Sequence, residues 1–241
     1  HELLNGVLRE DTSGEPLRIA QLPLGTGNDW IRSLGIRGGP EEILALITGD
    51  RIIAHDAGVI DFSMDTETLR RFFLTVAGIG FDARVAMRTH TRNRTRSTGR
   101  FTYLANIFRC FREYTPPVMR IRDDNHRLEI PVFSMNAAVG PFSGGGMKLS
   151  PGARFDDGLL DITIIRPLHL LDVCISFPLL YTGHINRHPK VMTWQSPHLT
   201  VTSEPPVAFQ VDGEVCGVTP VKLSLIRHAF FAVAPGSGSS Q

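Results

Sequence analysis

From Arg51 onward, short apolar runs recur every few residues, each closed by Gly, Pro, Asp or Asn, and this spacing constrains the fold more than any other feature. The runs are Ile52–Phe62, Arg71–Val76, Val118–Arg122, Leu128–Ala138, Leu159–Ile165, Leu199–Thr202, Ala208–Val211 and Val221–Leu225. Each predicts a strand, and so many at short intervals predict a sandwich or a bent sheet. Two helical patterns interrupt them. In Phe101–Arg112, the residues Phe101, Leu104, Phe108 and Phe111 fall on one stripe; the second pattern is Leu170–Tyr181.

Before Arg51 the grammar differs. His1–Arg9 has helical spacing and breaks at the turn-rich Asp11–Pro16. Arg18–Leu24 fits a strand that runs into Gly25-Thr26-Gly27-Asn28-Asp29, and Trp30–Ile36 is helical again up to the Gly38-Gly39-Pro40 breaker. Glu41–Ile47 is a further short helix. Helix, strand, loop, helix belongs to an α/β layer. The expected organisation is therefore α/β plus β-rich: an α/β unit over residues 1–50, a β-sandwich-like domain over 51–234 and a disordered tail over 235–241.

The 42% hydrophobic and 20% charged content excludes wholesale disorder, and a formal net charge of +1 argues against a dedicated nucleic-acid binder. Cys110, Cys174 and Cys216 are odd in number and far apart, which suits buried thiols in a reducing cytosol better than a disulfide framework. The best membrane-spanning candidate, Leu170–Tyr181, is short and contains Asp172 and Pro178. The histidines show no metal-ligand spacing, and the aromatic residues are too scattered for a base-stacking platform. The chain opens at His1, already inside an apolar pattern, and reads as a fragment of a longer protein.

Three stretches carry chemistry. Gly25–Asp29 sits between a predicted strand and a predicted helix, where backbone N–H groups and the helix N-terminus favour an anion. Thr26 and Asn28 supply donors for phosphate oxygens, while Asp29 calls for magnesium or a water network; a tight turn with Asn28 or Asp29 as helix cap explains the same residues equally well. The loop lacks the Gly-Lys-Ser/Thr of a Walker loop, and Trp30 stands where the dinucleotide fingerprint needs its third glycine. The second stretch runs from Gly144-Gly145-Gly146-Met147-Lys148 to Asp156-Asp157-Gly158-Leu159-Leu160-Asp161. Its Asp-Gly step reads first as a hairpin turn, and its adjacent carboxylates also suit a hard cation. The third is Asp212-Gly213-Glu214 at the end of a strand, either a solvated turn or the mounting of a general base.

Taken in this order, Pro23–Asp29, Leu34-Gly35, Gly78-Ile79-Gly80-Phe81-Asp82-Ala83, Gly144–Asp161 and Asp212-Gly213-Glu214 resemble the diacylglycerol-kinase catalytic family, its bacterial soluble lipid kinases more closely than its sphingosine kinases. The resemblance covers the chain from His1 to about Ala234. It implies a nucleotide-binding α/β domain followed by a β-rich domain, with ATP and substrate between them and transfer of the ATP γ-phosphate to a lipid hydroxyl. It further implies nucleotide contacts from His1, Gly25, Thr26, Gly27, Asn28 and Asp29. A magnesium ion would sit on Asp157 and the backbone carbonyls of Arg154 and Leu159, and Asp212 and Glu214 would form the acid/base pair. The family's Gly-Gly-Asp-Gly-Thr motif should precede a helix like His1–Gly6, so residues 1–50 read as a remnant of the nucleotide domain without its main phosphate loop.

The same resemblance implies a cytoplasmic enzyme that works at a membrane surface. Arg84, Arg88, Arg92, Arg94, Arg96 and Arg100 form a basic stretch that reads either as a mobile solvated loop or as a surface for anionic headgroups. Exposed strand edges leave a homodimer open. Two other readings compete: a kinase of a soluble acceptor such as NAD, and a non-catalytic lipid-binding protein that keeps the fold.

Overall fold

The structure is a computed structural model that describes residues 2–10, 17–25, 27–64, 66–92 and 109–235. Helix α1 (Glu2–Glu10), strand β1 (Arg18–Ile19) and helices α2 (Asp29–Ser33) and α3 (Pro40–Thr48) come first. They are followed by β2 (Ile52–Met64), β3 (Glu67–Phe73), β4 (Val76–Gly80), helix α4 (Phe81–Arg92) and the helical residues 109–113, here α5. The remainder comprises β5 (Val118–Arg122), β6 (Arg127–Pro131), β7 (Ser134–Ala138), β8 (Leu160–Ile165), helix α6 (Leu170–Thr182) and a 3₁₀ turn Ile185–Arg187. It closes with β9 (Val191–Ser196), β10 (Leu199–Ser203), β11 (Ala208–Val211), β12 (Glu214–Val218) and β13 (Val221–Val233).

These strands form a mixed α/β architecture around two sheets. One has the order β3-β2-β13-β10-β5-β6, with β1 added in parallel to β13; the other, β12-β11-β4-β7-β8-β9, is antiparallel throughout. Alternation along each strand sends one set of side chains between the sheets. Ile60, Phe73, Ile79, Met135, Ile162 and Phe209 meet there in the main core. Burying each such side chain stabilises the fold by roughly 1.5–3 kcal/mol.

The N-terminal helices pack at one end of the long β2–β13 pair. Leu4, Trp30, Ile31 and Ile43 join Val59, Phe72 and Phe230 in a second core. His55 lies in it, stacked between Phe155 and Phe230, and accepts the Trp30 indole N–H at 2.9 Å on Nε2. Its Nδ1 donates to the Asp56 carbonyl at 2.6 Å. A ring so enclosed resists protonation, and burial pulls its pKa down to about 4.

Several expectations need correction. Leu128–Ala138 is two strands on different sheets, β6 and β7: β6 stays paired with β5 up to Pro131, the Val132 amide bonds to the Pro117 carbonyl at 2.9 Å, and the chain crosses at Val132-Phe133. Arg71–Val76 likewise divides between β3 and β4, and Arg18–Leu24 keeps strand form only at Arg18–Ile19. Strands β9 and β12 were not expected; both are sheet edges, where burial is too slight to impose a clean apolar alternation. Arg84 and Arg88 stand on helix α4 rather than in a loop, and Arg88 pairs with Glu113. Of the Phe101–Arg112 helix, residues 101–108 lie outside the described residues, as do Arg94, Arg96, Arg100 and the 236–241 part of the tail.

Candidate active site

The mouth of the site is built from three tight turns. In the first, Asn28 takes a left-handed φ of 50° as it enters α2. Its side-chain amide donates to the Gly25 carbonyl at 2.8 Å and the Pro23 carbonyl at 3.4 Å, so it braces the loop and makes no helix cap. Asp29 reaches across to the second turn: its carboxylate accepts from the Gly145 amide at 2.8 Å and the Gly146 amide at 2.7 Å, and from Arg32 at 2.7 Å. Burial raises the Asp29 pKa, and these donors offset part of that rise. Gly144, Gly145 and Gly146 hold φ of 61°, 84° and 102°, a run that only glycine adopts without strain, and paired backbone bonds between Ser143 and Met147 close the turn.

The third turn is Asp212-Gly213, with φ of 46° and 95°, the two-residue connection that joins β11 to β12 as a hairpin. The Asp212 carboxylate is fully engaged. One oxygen accepts from the Leu74 amide at 2.7 Å; the other accepts from the Thr75 and Val76 amides, both at 3.0 Å, and from the Thr75 hydroxyl at 2.6 Å. Asp212 thereby fixes the link between β3 and β4. Glu214, two residues on, is exposed at the start of edge strand β12.

Between these turns opens a cavity of about 620 Å³. Gly27, Asn28, Asp29, Thr75, Gly144 and Asp212 surround its polar end. Inside, it runs over the outer face of the antiparallel sheet beneath α4, α5 and α6, and Phe81, Val85, Phe133, Leu149, Ile165 and Leu180 make an apolar wall. Such a wall, together with Asp82 on its floor, was not anticipated from sequence: its members come from elements far apart in the chain. The apolar stripe of α6 was the one visible signal, since Val173, Ser176 and Leu180 line the cavity.

The remaining candidate residues lie elsewhere. Asp157 accepts the Leu159 amide at 3.0 Å, a local turn before β8 and not the two-strand hairpin expected of Asp-Gly. Gly158 (φ 76°) instead donates its amide to the buried Asp56 at 2.8 Å. Gln195 donates to both Asp157, at 3.4 Å, and Asp161, at 3.1 Å, while Arg154 pairs with Asp156. Burial, with a smaller push from Asp157, raises the Asp161 pKa. Two carboxylates beside an amide that can present its oxygen fit a hard, oxygen-seeking cation. Among the described residues no three His, Cys, Asp or Glu side chains converge, so any such cation would complete its shell with backbone carbonyls and water. None of Arg154, Asp157, Leu159, Gly25 and Glu214 lines the cavity, and His1 and Thr26 lie outside the described residues.

Family models match nearly the whole chain: the diacylglycerol kinase catalytic domain over residues 1–60 and the YegS C-terminal NAD kinase beta sandwich-like domain over residues 75–236. The chain belongs to this diacylglycerol kinase and YegS family. A diacylglycerol kinase of Staphylococcus haemolyticus is 25% identical over 95% of the chain and 66% of its own length. A YegS-like lipid kinase of Chromohalobacter salexigens is 26% identical over 98% of the chain and 72% of its own length. The chain thus spans about two thirds to three quarters of these relatives. Among solved structures, one from Bacillus anthracis str. Sterne assigned to the diacylglycerol kinases superposes with a TM-score of 0.72 at 19% identity. That match covers 98% of the chain and 74% of the other, and it shows a shared fold.

Proposed function

We propose that the protein carrying this chain is an ATP- and magnesium-dependent lipid kinase that transfers the γ-phosphate to a lipid hydroxyl. The observation that carries this reading is the cavity itself: a polar mouth made of backbone turns and carboxylates, continuous with an interior walled by apolar side chains, the lining an acyl chain would match. A soluble dinucleotide acceptor would leave that interior wall unmatched, and a passive lipid carrier would not need the carboxylate-bearing turns at its entrance.

In this reading the hydroxyl waits at the mouth with its chains against Phe133, Leu149 and Ile165, while nucleotide approaches from the side of Gly25–Asp29. Phosphoryl transfer needs alignment, charge neutralisation and a base for the attacking hydroxyl. Asp212 is ill suited to serve an attacking hydroxyl, because four donors already occupy its two oxygens and hold it in place. Glu214, exposed on the same hairpin, is the proposed base, and Asp212 positions that hairpin against the β3–β4 link. Magnesium would be held at Asp157 with the carbonyls of Arg154 and Leu159, and would supply charge neutralisation.

The reading extends to peripheral membrane association, supported by α6, which lines the cavity on one side and exposes Leu171 (77%) and Ile175 (62%) on the other. No helix among the described residues is long and apolar enough to cross a bilayer. The test is transfer from labelled ATP by the full-length protein to diacylglycerol, a sphingoid base, a polyprenyl alcohol and NAD. Labelled lipid supports the reading; label on NAD alone overturns it.

A further inference from the structure

Away from its polar mouth the cavity is largely apolar, but a polar patch lies on its floor, assembled from three strands and a helix. Residues Gln210, Gly78 and Asn136 face each other across β11, β4 and β7. Their strand neighbours Phe209, Ile79 and Met135 point into the core between the sheets, so this row lies on the opposite, cavity-side face. Gly78 leaves room: a Cβ there would stand 2.6 Å from the Gln210 amide nitrogen and 3.1 Å from the Asp82 Cβ. Asp82, in the first turn of α4, occupies that space.

Its surroundings do not consume it. Ser134 and Asn136 hydrogen-bond to the Asp82 carboxyl, yet among the described residues its buried Oδ2 finds no partner, nor do the Asn136 Oδ1 and the Tyr114 hydroxyl. Among the described residues the cavity lining includes Asp82, Ser134 and Gln210 but no Lys, Arg or His. Burial raises the Asp82 pKa, and the hydrogen bonds from Ser134 and Asn136 offset part of that rise. An unspent polar atom inside an apolar wall is costly to the fold and useful to a ligand.

We propose that Asp82 is a specificity-determining residue of the acceptor site, donating a hydrogen bond from its protonated carboxyl to an ester carbonyl of the bound lipid. This rests on the lipid-kinase reading of the cavity and narrows it to acceptors that carry a carbonyl near the hydroxyl. Such a site rejects an analogue without the carbonyl, because the acid is then left buried and unpaired.

The test is titration of the chain with dioctanoylglycerol and with its dioctyl ether analogue, which has the same shape but no carbonyl. Binding is followed by the fluorescence of Trp30, which borders the cavity. The ester should bind about tenfold more tightly than the ether, as one hydrogen bond to a carbonyl warrants. Asp82→Leu should abolish this preference and leave ether affinity intact, and Asp82→Asn, which keeps a donor, should retain most of it. Thermal denaturation of both variants checks that they are folded. Equal affinity of the unsubstituted chain for ester and ether, or an ester preference that survives Asp82→Leu, overturns the role of Asp82 while leaving the lipid cavity standing; a proton spent internally on Asn136 would give that result. Binding of neither ligand overturns the lipid reading of the cavity together with this proposal.

Discussion

Asp212 and Asp82 border the same cavity and have opposite situations. Asp212 sits at the mouth and accepts four hydrogen bonds from residues 74–76, 136 or more positions away in the chain. Asp82 sits on the floor, with an oxygen that no described residue satisfies. The first is a fastener, whose chemistry is already committed to structure. The second is capacity held in reserve. The presence of a carboxylate in a cleft therefore says little until its donors have been counted.

The largest effect that would sharpen this contrast concerns the base. Glu214→Gln in the full-length protein should lower phosphotransfer by about a hundredfold or more, with thermal denaturation checking that the variant is folded. Near-normal turnover would move the base elsewhere on the mouth. Asp212→Ala should act differently, lowering stability by about 3 kcal/mol in urea denaturation, because three backbone amides lose their acceptor. A stable Asp212→Ala protein would mean that the 74–76 link is held by other contacts.

A third expectation concerns His55. Its pKa is about 4 when folded against about 6.5 when unfolded, so the unfolded state binds the extra proton between these values. Stability is fully present above pH 6.5 and falls on acidification towards pH 4, by about 3 kcal/mol from this residue. His55→Phe should flatten that segment of the stability curve, and an equally steep decline in the variant would assign it to other groups. The smallest effect is Asp29→Asn, which weakens the bonds to the Gly145 and Gly146 amides and should cost about 1 kcal/mol in chemical denaturation.

How much of this was legible beforehand depends on the range of the interactions. The sandwich was legible because strands such as Val118–Arg122 and Ala208–Val211 carry their own alternation and turn signals. Helix α4 was not, since arginines, threonines and His90 interrupt any apolar stripe and its fixed position depends on contacts with distant elements such as β11 and β12. The turns at Gly25–Asp29, Gly144–Gly146 and Asp212-Gly213 announced themselves through glycine. What they do there did not, because the bond from Asp29 to Gly145 spans 116 residues and that from Asp212 to Leu74 spans 138. The Gly78–Ala83 motif was visible as a family feature, but the burial of Asp82 over Gly78 arises only when β4, β7 and β11 are placed side by side.

The account depends most on the claim that acyl chain enters the cavity. A diacylglycerol bearing a photoreactive group at the far end of one chain tests this directly, with the adduct mapped by mass spectrometry. The account predicts labelling inside the wall, on the peptides that carry Phe133, Ile165 or Leu180. Adducts confined to the outer surface, on strands that do not border the cavity, would contradict it.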